Sequence, residues 1–398
     1  RRGLSLISMA RKELAVRMQA YFDHSVTDAQ VGKLHPSLMM TGNRIVGPEA
    51  RQKLLKESCF DEAKIVLYPF KPMDNRFCYL DNIRPLFSEP SPKLLAQRFP
   101  GNKFFITRDT ADKSPEGPPF FFSPLVCDYD CISGHARHFP LRLKRDASPS
   151  SSSGAFLPGL GLEQDVVTAN LSIAARAYLS SLGYGDPDAD QVVSELIWHH
   201  ALAIGYSPAY LEANADGVRQ DWPRIPLPQV REQLEASAAL GHQVAALLDS
   251  ETPVPGVTTG KVPPELRSIA VFTRLDGQQA NPAAGDLDLT AGWGYAGRGG
   301  ITMPGKGKLR DNGDDTCDVF LNDVTCWRNV PNAVWNYTIG GYQVIKKWLS
   351  YREKPLLGRG LLPEEVRYVS DMARRLAALV ALGEKLDTNY HQTSAKSY

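Results

Sequence analysis

VWNYTIGGYQVIKKWL, residues 334–349, is the stretch on which the fold of this 398-residue chain turns. Gly340 and Gly341 interrupt an aromatic run, and with no Cβ they permit a close backbone approach that other residues would block. Beyond them Tyr342, Ile345, Trp348 and Leu349 recur at three- and four-residue spacing, which predicts an amphipathic helix with those four side chains on the core. The same geometry turns Lys346 and Lys347 outward, with Arg352 and Lys354 just past the helix end. A lysine face is an ordinary solvated surface in most chains. Opposite a polyanion it positions a duplex by its phosphates.

Working outward, the composition is that of a folded globular body, 43% hydrophobic and 22% charged, which excludes disordered, collagen-like and coiled-coil chains. The 45 Lys and Arg nearly cancel the 44 Asp and Glu, so any polyanion site must be a local patch rather than a global field. Apolar runs such as 376–382 fall far short of the ~20 residues that cross a bilayer. No signal-peptide pattern opens the chain, and the six cysteines fit a reducing compartment, so a cytoplasmic location without membrane contact is expected. The chain begins without an initiator Met and reads as a piece of something longer.

The expected class is α+β, with mixed β-sheet segments and several long helices. Residues 1–60 read as helical. A β-rich part spans 61–147, with strands at 64–70, 76–81, 103–109, 120–126 and 138–144. The serine run at 148–154 marks a flexible linker over 148–162. Helices dominate 163–250, including an apolar stripe of Val230, Leu234, Leu240, Val244 and Leu248 broken only by Ser237. A second β-rich part with two closing helices fills 251–390, its strands at 268–275 and 318–327, and the final helix starts on Pro363 and stops at Gly383. Residues 391–398 form a tail.

Chemical motifs fail on inspection. Cys127, Cys131, His135 and His138 are zinc-type ligands, but all four fall in one short segment, whereas structural zinc draws ligand pairs from separated elements. Gly300-x4-Gly305-Lys306 continues with Gly307 instead of the Ser or Thr that holds magnesium. Gly117-Pro118-Pro119-Phe120 has the outline of an adenine-methyltransferase tetrad, yet glycine offers no acceptor for the exocyclic amine. The string Phe156-x2-Gly159-x-Gly161 lacks the strand that would aim a cofactor loop. His199 and His200 read as partly buried, hydrogen-bonded imidazoles, and Glu364 and Glu365 as first-turn partners of a helix dipole. Catalytic, cofactor-binding and metal-ligating residues are therefore all assigned as none. Residues 297–310 (GRGGITMPGKGKLR) hold Arg298, Lys306, Lys308 and Arg310 with no acid among them, and five aspartates follow by Asp323. They form either a solvated loop whose charges cancel or a loop that contacts nucleic acid.

Four strings in order resemble one family. Residues 68–80 (YPFKPMDNRFCYL) resemble the signature that follows the methyltransferase core in type ISP and related type IIG restriction-modification enzymes. Residues 134–143 (GHARHFPLRL) are similar to its FPL strand. Residues 207–210 (SPAY) and 221–228 (DWPRIPLP) resemble its helix and proline connector, and 334–349, continuing to Arg352, is the most specific match. Roughly residues 60 to 390 are covered, and the resemblance is to the C-terminal specificity region, or target-recognition domain.

The resemblance implies a double-stranded DNA recognition module without chemistry of its own. Residues 1–60 become the connector to a methyltransferase domain of the same polypeptide. No cofactor is implied here; S-adenosylmethionine, and ATP and magnesium if the parent is a restriction enzyme, belong to other domains. The expected DNA contacts are Lys346, Lys347 and Arg352 on the helix, with Arg298, Lys306, Lys308 and Arg310 on the loop. Arg224 is expected to be buried or capping, bracing the proline connector. Two rivals stand beside this reading: a protein-binding scaffold, which the near-zero charge favours, and a zinc hydrolase on the Cys/His cluster. Because Gly117 cannot accept the amine hydrogen bond, the chain should transfer no labelled methyl group to DNA; measurable transfer would refute that.

Overall fold

The computed structural model describes residues 3–41, 46–81, 83–87, 91–145 and 166–395. The serine run and the Phe156–Gly161 string lie outside the described residues. The class is α+β as expected: every strand pair is antiparallel, the sheets are small, and helices pack across them.

The first sheet grows from 68–80. Strands β1 (Ile7–Ser8), β2 (Ile65–Lys71) and β3 (Asp74–Tyr79) lie in the order β1-β3-β2, and Met73 makes the β2–β3 turn at φ 55°. Leu14, Met18 and Tyr21 of the Arg11–Tyr21 helix bury against Ile65 and Tyr79, so the helical opening is packed onto this sheet. In the second sheet β4 (Phe104–Thr107) lies between β5 (Phe121–Ser123) and β6 (Arg137–Pro140). All of β4 and β5 is buried, hence their largely apolar spelling, broken only at Thr107 and Ser123. β7 (Arg142–Arg145) pairs with β8 (Val166–Ala169).

Over these sheets runs a helical pair, Gln191–Gly205 and Arg231–Leu248. Asp190 caps the first by accepting from the Val192 and Val193 amides. Gly241 lets the helices meet, since a Cβ there would strike the His199 carbonyl. Ser237, the polar break in the stripe, bonds His200 Nδ1 at 2.7 Å and accepts from Asn389 at 2.9 Å, while His200 Nε2 meets the Pro226 carbonyl at 2.8 Å. Burial lowers His199 and His200 to about 4, so both are neutral at pH 7. His200 is hydrogen-bonded as expected; His199 instead packs between Phe122 and His242, its Nε2 without a hydrogen-bond partner.

The third sheet contains β9 (Val271–Arg274) and, beyond the β10 (Gly294–Ala296) and β11 (Thr302–Pro304) hairpin, strands β12 (Leu309–Asp311), β13 (Thr316–Phe320) and β14 (Thr325–Pro331), in the order β12-β13-β14-β9. Residues 318–327 thus form two strands and a turn. The Asn322 side chain makes that turn by accepting from the Val324 and Thr325 amides at 2.9 Å each, a local alternative to the ladder. β15 (Thr338–Ile339) and β16 (Tyr342–Gln343) flank Gly340 and Gly341, which lie at φ 52° and 78°. The helix that follows is Val344–Ser350. Tyr342 therefore precedes the helix instead of lining its core face, and it is only half-buried. After Pro363–Ala381 a further helix, Gly383–Ser394, continues where the sequence pattern stops.

A buried ion cluster joins two segments far apart in the sequence. Asp74 Oδ1 accepts from Arg352 at 2.7 Å across 278 positions, and Asp74 Oδ2 accepts from Arg76 at 2.7 Å. Arg76 lies over the Phe70 and Tyr351 rings at 3.9 and 4.4 Å, and Arg352 over Trp348 at 3.7 Å. Burial opposes the Asp74 charge, yet Arg352 and Arg76 outweigh it and hold the carboxyl at about 2. Asp74→Ala leaves two buried guanidinium groups without their shared anion and should cost about 3 to 5 kcal/mol in chemical denaturation. The folded-state value lies below that of a free carboxyl, so this contribution is complete above pH ~4 and is lost as pH falls toward 2. An Asp74→Ala variant with wild-type stability, or no difference in acid sensitivity between the two proteins, would contradict the assignment.

Candidate nucleic-acid interface

The seven cations expected at DNA divide into three groups. Arg352 is buried, 4% exposed, and committed to Asp74, so it serves the fold. The periodicity that placed it after the lysine helix carried no sign of a carboxylate on a distant hairpin.

On the loop, Lys308 Nζ is 2.7 Å from Asp323, and Arg310 pairs with Asp318. Part of the loop's charge is thus cancelled by the aspartates that follow it. Arg298 and Lys306 are exposed and make no ion pair among the described residues. Arg298 lies in the turn, and Lys306 just past the end, of a hairpin whose Tyr295, Ile301 and Met303 are 55%, 66% and 42% exposed. β10 and β11 hold this loop as a ribbon, with the Gly297 amide donating to Ile301 O at 2.7 Å and the Gly305 amide to Trp293 O at 2.6 Å.

Lys346 and Lys347 lie on the Val344–Ser350 helix, both half-buried, while Val344, Ile345, Trp348 and Leu349 are buried. Lys347 Nζ sits 5.5 Å from the Tyr342 ring centroid and 4.7 Å from that of Tyr351. Burial first, then the nearby Lys71, Lys113 and Arg76 charges, lower Lys347 to about 8, with Asp74 opposing them. Lys71 and Lys113 also approach the Tyr342 ring, at 4.8 and 3.9 Å. Sequence periodicity missed these two because they come from a hairpin turn and a loop that only the fold brings to the helix.

The glycines explain how. The Gly341 amide donates to the Glu116 carbonyl at 2.8 Å and the Gly340 amide to the Pro118 carbonyl at 2.9 Å, and a Cβ on Gly117 would strike Thr338. The methyltransferase-like Gly-Pro-Pro-Phe string is thus a packing segment that docks the Lys113 loop on the β15–β16 turn.

Three further readings meet the structure differently. The Arg224 side chain is 91% exposed, 3.5 Å from Asp221, and braces nothing; the connector is held by its backbone carbonyls, which accept from Tyr210 and Tyr178 hydroxyls. Cys127 and Cys131 are buried, Cys127 Sγ lies 3.0 Å from His138 Nε2, and burial pushes the Cys127 thiol well up and His138 down to about 4. His135 leaves that group, stacking on Tyr129 at 4.4 Å with φ 72°. Among the described residues no three His, Cys, Asp or Glu side chains gather in a group able to hold a metal. No described helix is long and apolar enough to cross a membrane.

Small antiparallel sheets under a helical layer define an α+β fold that solved structures share over nearly the whole of this chain. The match to a nuclease-deletion mutant of the Type ISP restriction-modification enzyme LlaGI, in complex with a DNA substrate mimic, covers 98% of this chain and 32% of that one at 14% identity, TM-score 0.55. A DrdV-DNA complex matches over 97% of this chain and 34% of that one at 17% identity, TM-score 0.61. The ATP-dependent Type ISP restriction-modification enzyme LlaBIII bound to DNA matches over 98% and 22% at 12% identity, TM-score 0.57. This chain therefore spans about a third or less of each. No curated protein matches it. Residues 5–375 match the profile of the Type ISP C-terminal specificity domain, and the chain belongs to that family.

The buried and the exposed cations separate experimentally. Arg352→Ala should lower folding stability by about 3 to 5 kcal/mol, because it strands Asp74 beside one remaining partner. Arg298→Ala should leave stability within ~0.5 kcal/mol, as exposed substitutions do. Thermal melts of both variants check this, and equal shifts would contradict the division.

Proposed function

We propose that this chain reads a double-stranded DNA sequence on behalf of a restriction-modification enzyme and makes or breaks no bond itself. What carries the reading is a set of three ammonium groups gathered around Tyr342, in a family of specificity domains and in a chain whose net charge is only +1. The fold neighbours are DNA complexes, which supports the same partner here.

Roles follow from exposure and chemistry. Lys346 and Lys347 position the duplex by phosphate contacts, which weaken all sequences alike when lost. Arg298 and Lys306, on a strand-held ribbon, are free to meet base edges, and a guanidinium bonding a guanine edge discriminates by ~1 to 3 kcal/mol. The methyl donor S-adenosylmethionine, and ATP with magnesium for a translocating parent, act in other domains of the same polypeptide, of which an adenine methyltransferase is the one that needs its target chosen.

Titrating duplex DNA at two ionic strengths tests this. Affinity should fall steeply with salt, and Lys346→Ala with Lys347→Ala should make the slope shallower by up to about two while weakening all duplexes equally. Specificity should survive in that variant and shrink in Arg298→Ala. Salt-independent association, or none, would favour a protein-binding scaffold instead.

A further inference from the structure

The three ammonium groups round Tyr342 come from three separate segments: Lys71 at the end of β2, Lys113 on the loop before β5, and Lys347 on the Val344–Ser350 helix. All three lie within 5.5 Å of one ring centroid, inside a single screening length of ~10 Å at 0.1 M salt. Like charges held this close repel, and each ring contact returns only a modest cation–π attraction.

Carboxylates lie nearby: Glu116, Asp112 and Asp130 favour the Lys113 charge, and Asp130 and Asp128 act on Tyr342, while several of the surrounding acids also serve other partners. Asp74 serves Arg76 and Arg352. Glu116 pairs with Arg108, and Asp112 accepts from the Gly134 amide at 3.0 Å. Asp130 is 3.4 Å from His135, and its carbonyl accepts from Lys71. Lys113 and Lys347 form no ion pair with a carboxylate among the described residues. Exposure is graded: Lys113 is exposed, Lys347 and Tyr342 are half-buried, and Lys71 is 4% exposed. The cluster is thus open on the side of Lys113 and Lys347, two ammonium groups without an ion pair among the described residues, the arrangement of an anion site.

We propose that Lys71, Lys113 and Lys347 around Tyr342 form a phosphodiester-binding site that grips one backbone phosphate of duplex DNA. Lys113 and Lys347 touch the phosphate, and the buried Lys71 adds charge from beneath. The site deepens the DNA-reading function proposed above and rests on it.

A consequence is proton uptake. Facing Lys347 are Lys71, Arg76 and Asp74 from the hairpin, Lys113 from its loop, and the Tyr342 and Tyr351 phenols. Lys347 stands at about 8 in the free chain because burial and the neighbouring cations disfavour its charge. A bound phosphate favours the charged form, so binding draws in a proton near pH 8 and weakens as pH rises from 7 to 9.

The test measures affinity of the chain for a random-sequence duplex at pH 7 and pH 9, and its salt slope, for wild type, Lys113→Gln and Lys347→Gln. Each variant should lose about one phosphate contact from the slope. Wild type should weaken by up to about tenfold between the two pH values, the limit set by one proton, and Lys347→Gln should abolish most of that change. Lys113 is exposed, so its variant keeps the test open if Lys347→Gln fails to fold. Salt-dependent DNA binding with unaltered slope and pH response in the variants would overturn the phosphate site while leaving DNA reading intact. Absence of salt-dependent DNA binding by wild type would overturn both. Displacement of the duplex by inorganic tripolyphosphate far below the chloride ionic strength that does the same would make the ligand a free polyphosphate, and would also overturn the assignment.

Discussion

The Asp74 carboxylate, held between Arg76 and Arg352, is the constraint from which the rest of the architecture follows. It ties the β2–β3 hairpin to the segment after the lysine helix, 278 positions along the chain. Around it the contacts repeat the same junction: Phe70 meets Tyr351 edge-on at 5.2 Å, and the Tyr368 hydroxyl donates to the Met73 carbonyl at 2.7 Å. A buried ion cluster adds little net stability over apolar packing, but it is costly to break from one side. It also requires directional hydrogen bonds, so it admits one docking of hairpin on helix where an apolar contact could slide. That docking brings Lys71 and Lys347 to one tyrosine ring.

A chain with net charge +1 meets a polyanion by segregating its charges rather than by accumulating them. On the 297–310 ribbon the segregation is partial, since Asp318 and Asp323 neutralise Arg310 and Lys308 and leave Arg298 and Lys306 at the exposed edge. At Tyr342 three ammonium groups gather, and two of the carboxylates in that region, Asp74 and Glu116, are paired with Arg76, Arg352 and Arg108. Arginine therefore fills the buried pairs, where its fixed fork of donors satisfies a carboxylate, and Lys113 and Lys347 stand at the more open side, where a mobile point charge suits a phosphate.

Elements whose reason is local were legible in the sequence. β2, β4 and β5 follow their apolar spelling, the Gln191–Gly205 and Arg231–Leu248 helices their periodicity, and the Pro363 start its fixed φ. The long-range partnerships were not. Arg352 looks like one more surface cation until Asp74 is placed beside it, and Tyr342 fits the helical period although the Gly340-Gly341 turn holds it in β16. Arg224 lies in a proline string whose rigidity suggested a brace, yet prolines set φ without needing one, and the side chain is left in solvent. Lys71 and Lys113 had no periodic signal, because a site assembled from a hairpin, a loop and a helix has no spacing in the sequence.

A double-mutant cycle on Asp74→Asn and Arg352→Met, followed by chemical denaturation, tests the junction directly. The account predicts that the double variant is less destabilised than the two single losses added together, by about 0.5 to 3 kcal/mol, because each single change strands a buried partner that the pair removes together. Additivity within ~0.5 kcal/mol would show that the two residues do not act as a unit, and would contradict the claim that their ion pair docks the hairpin on the lysine helix.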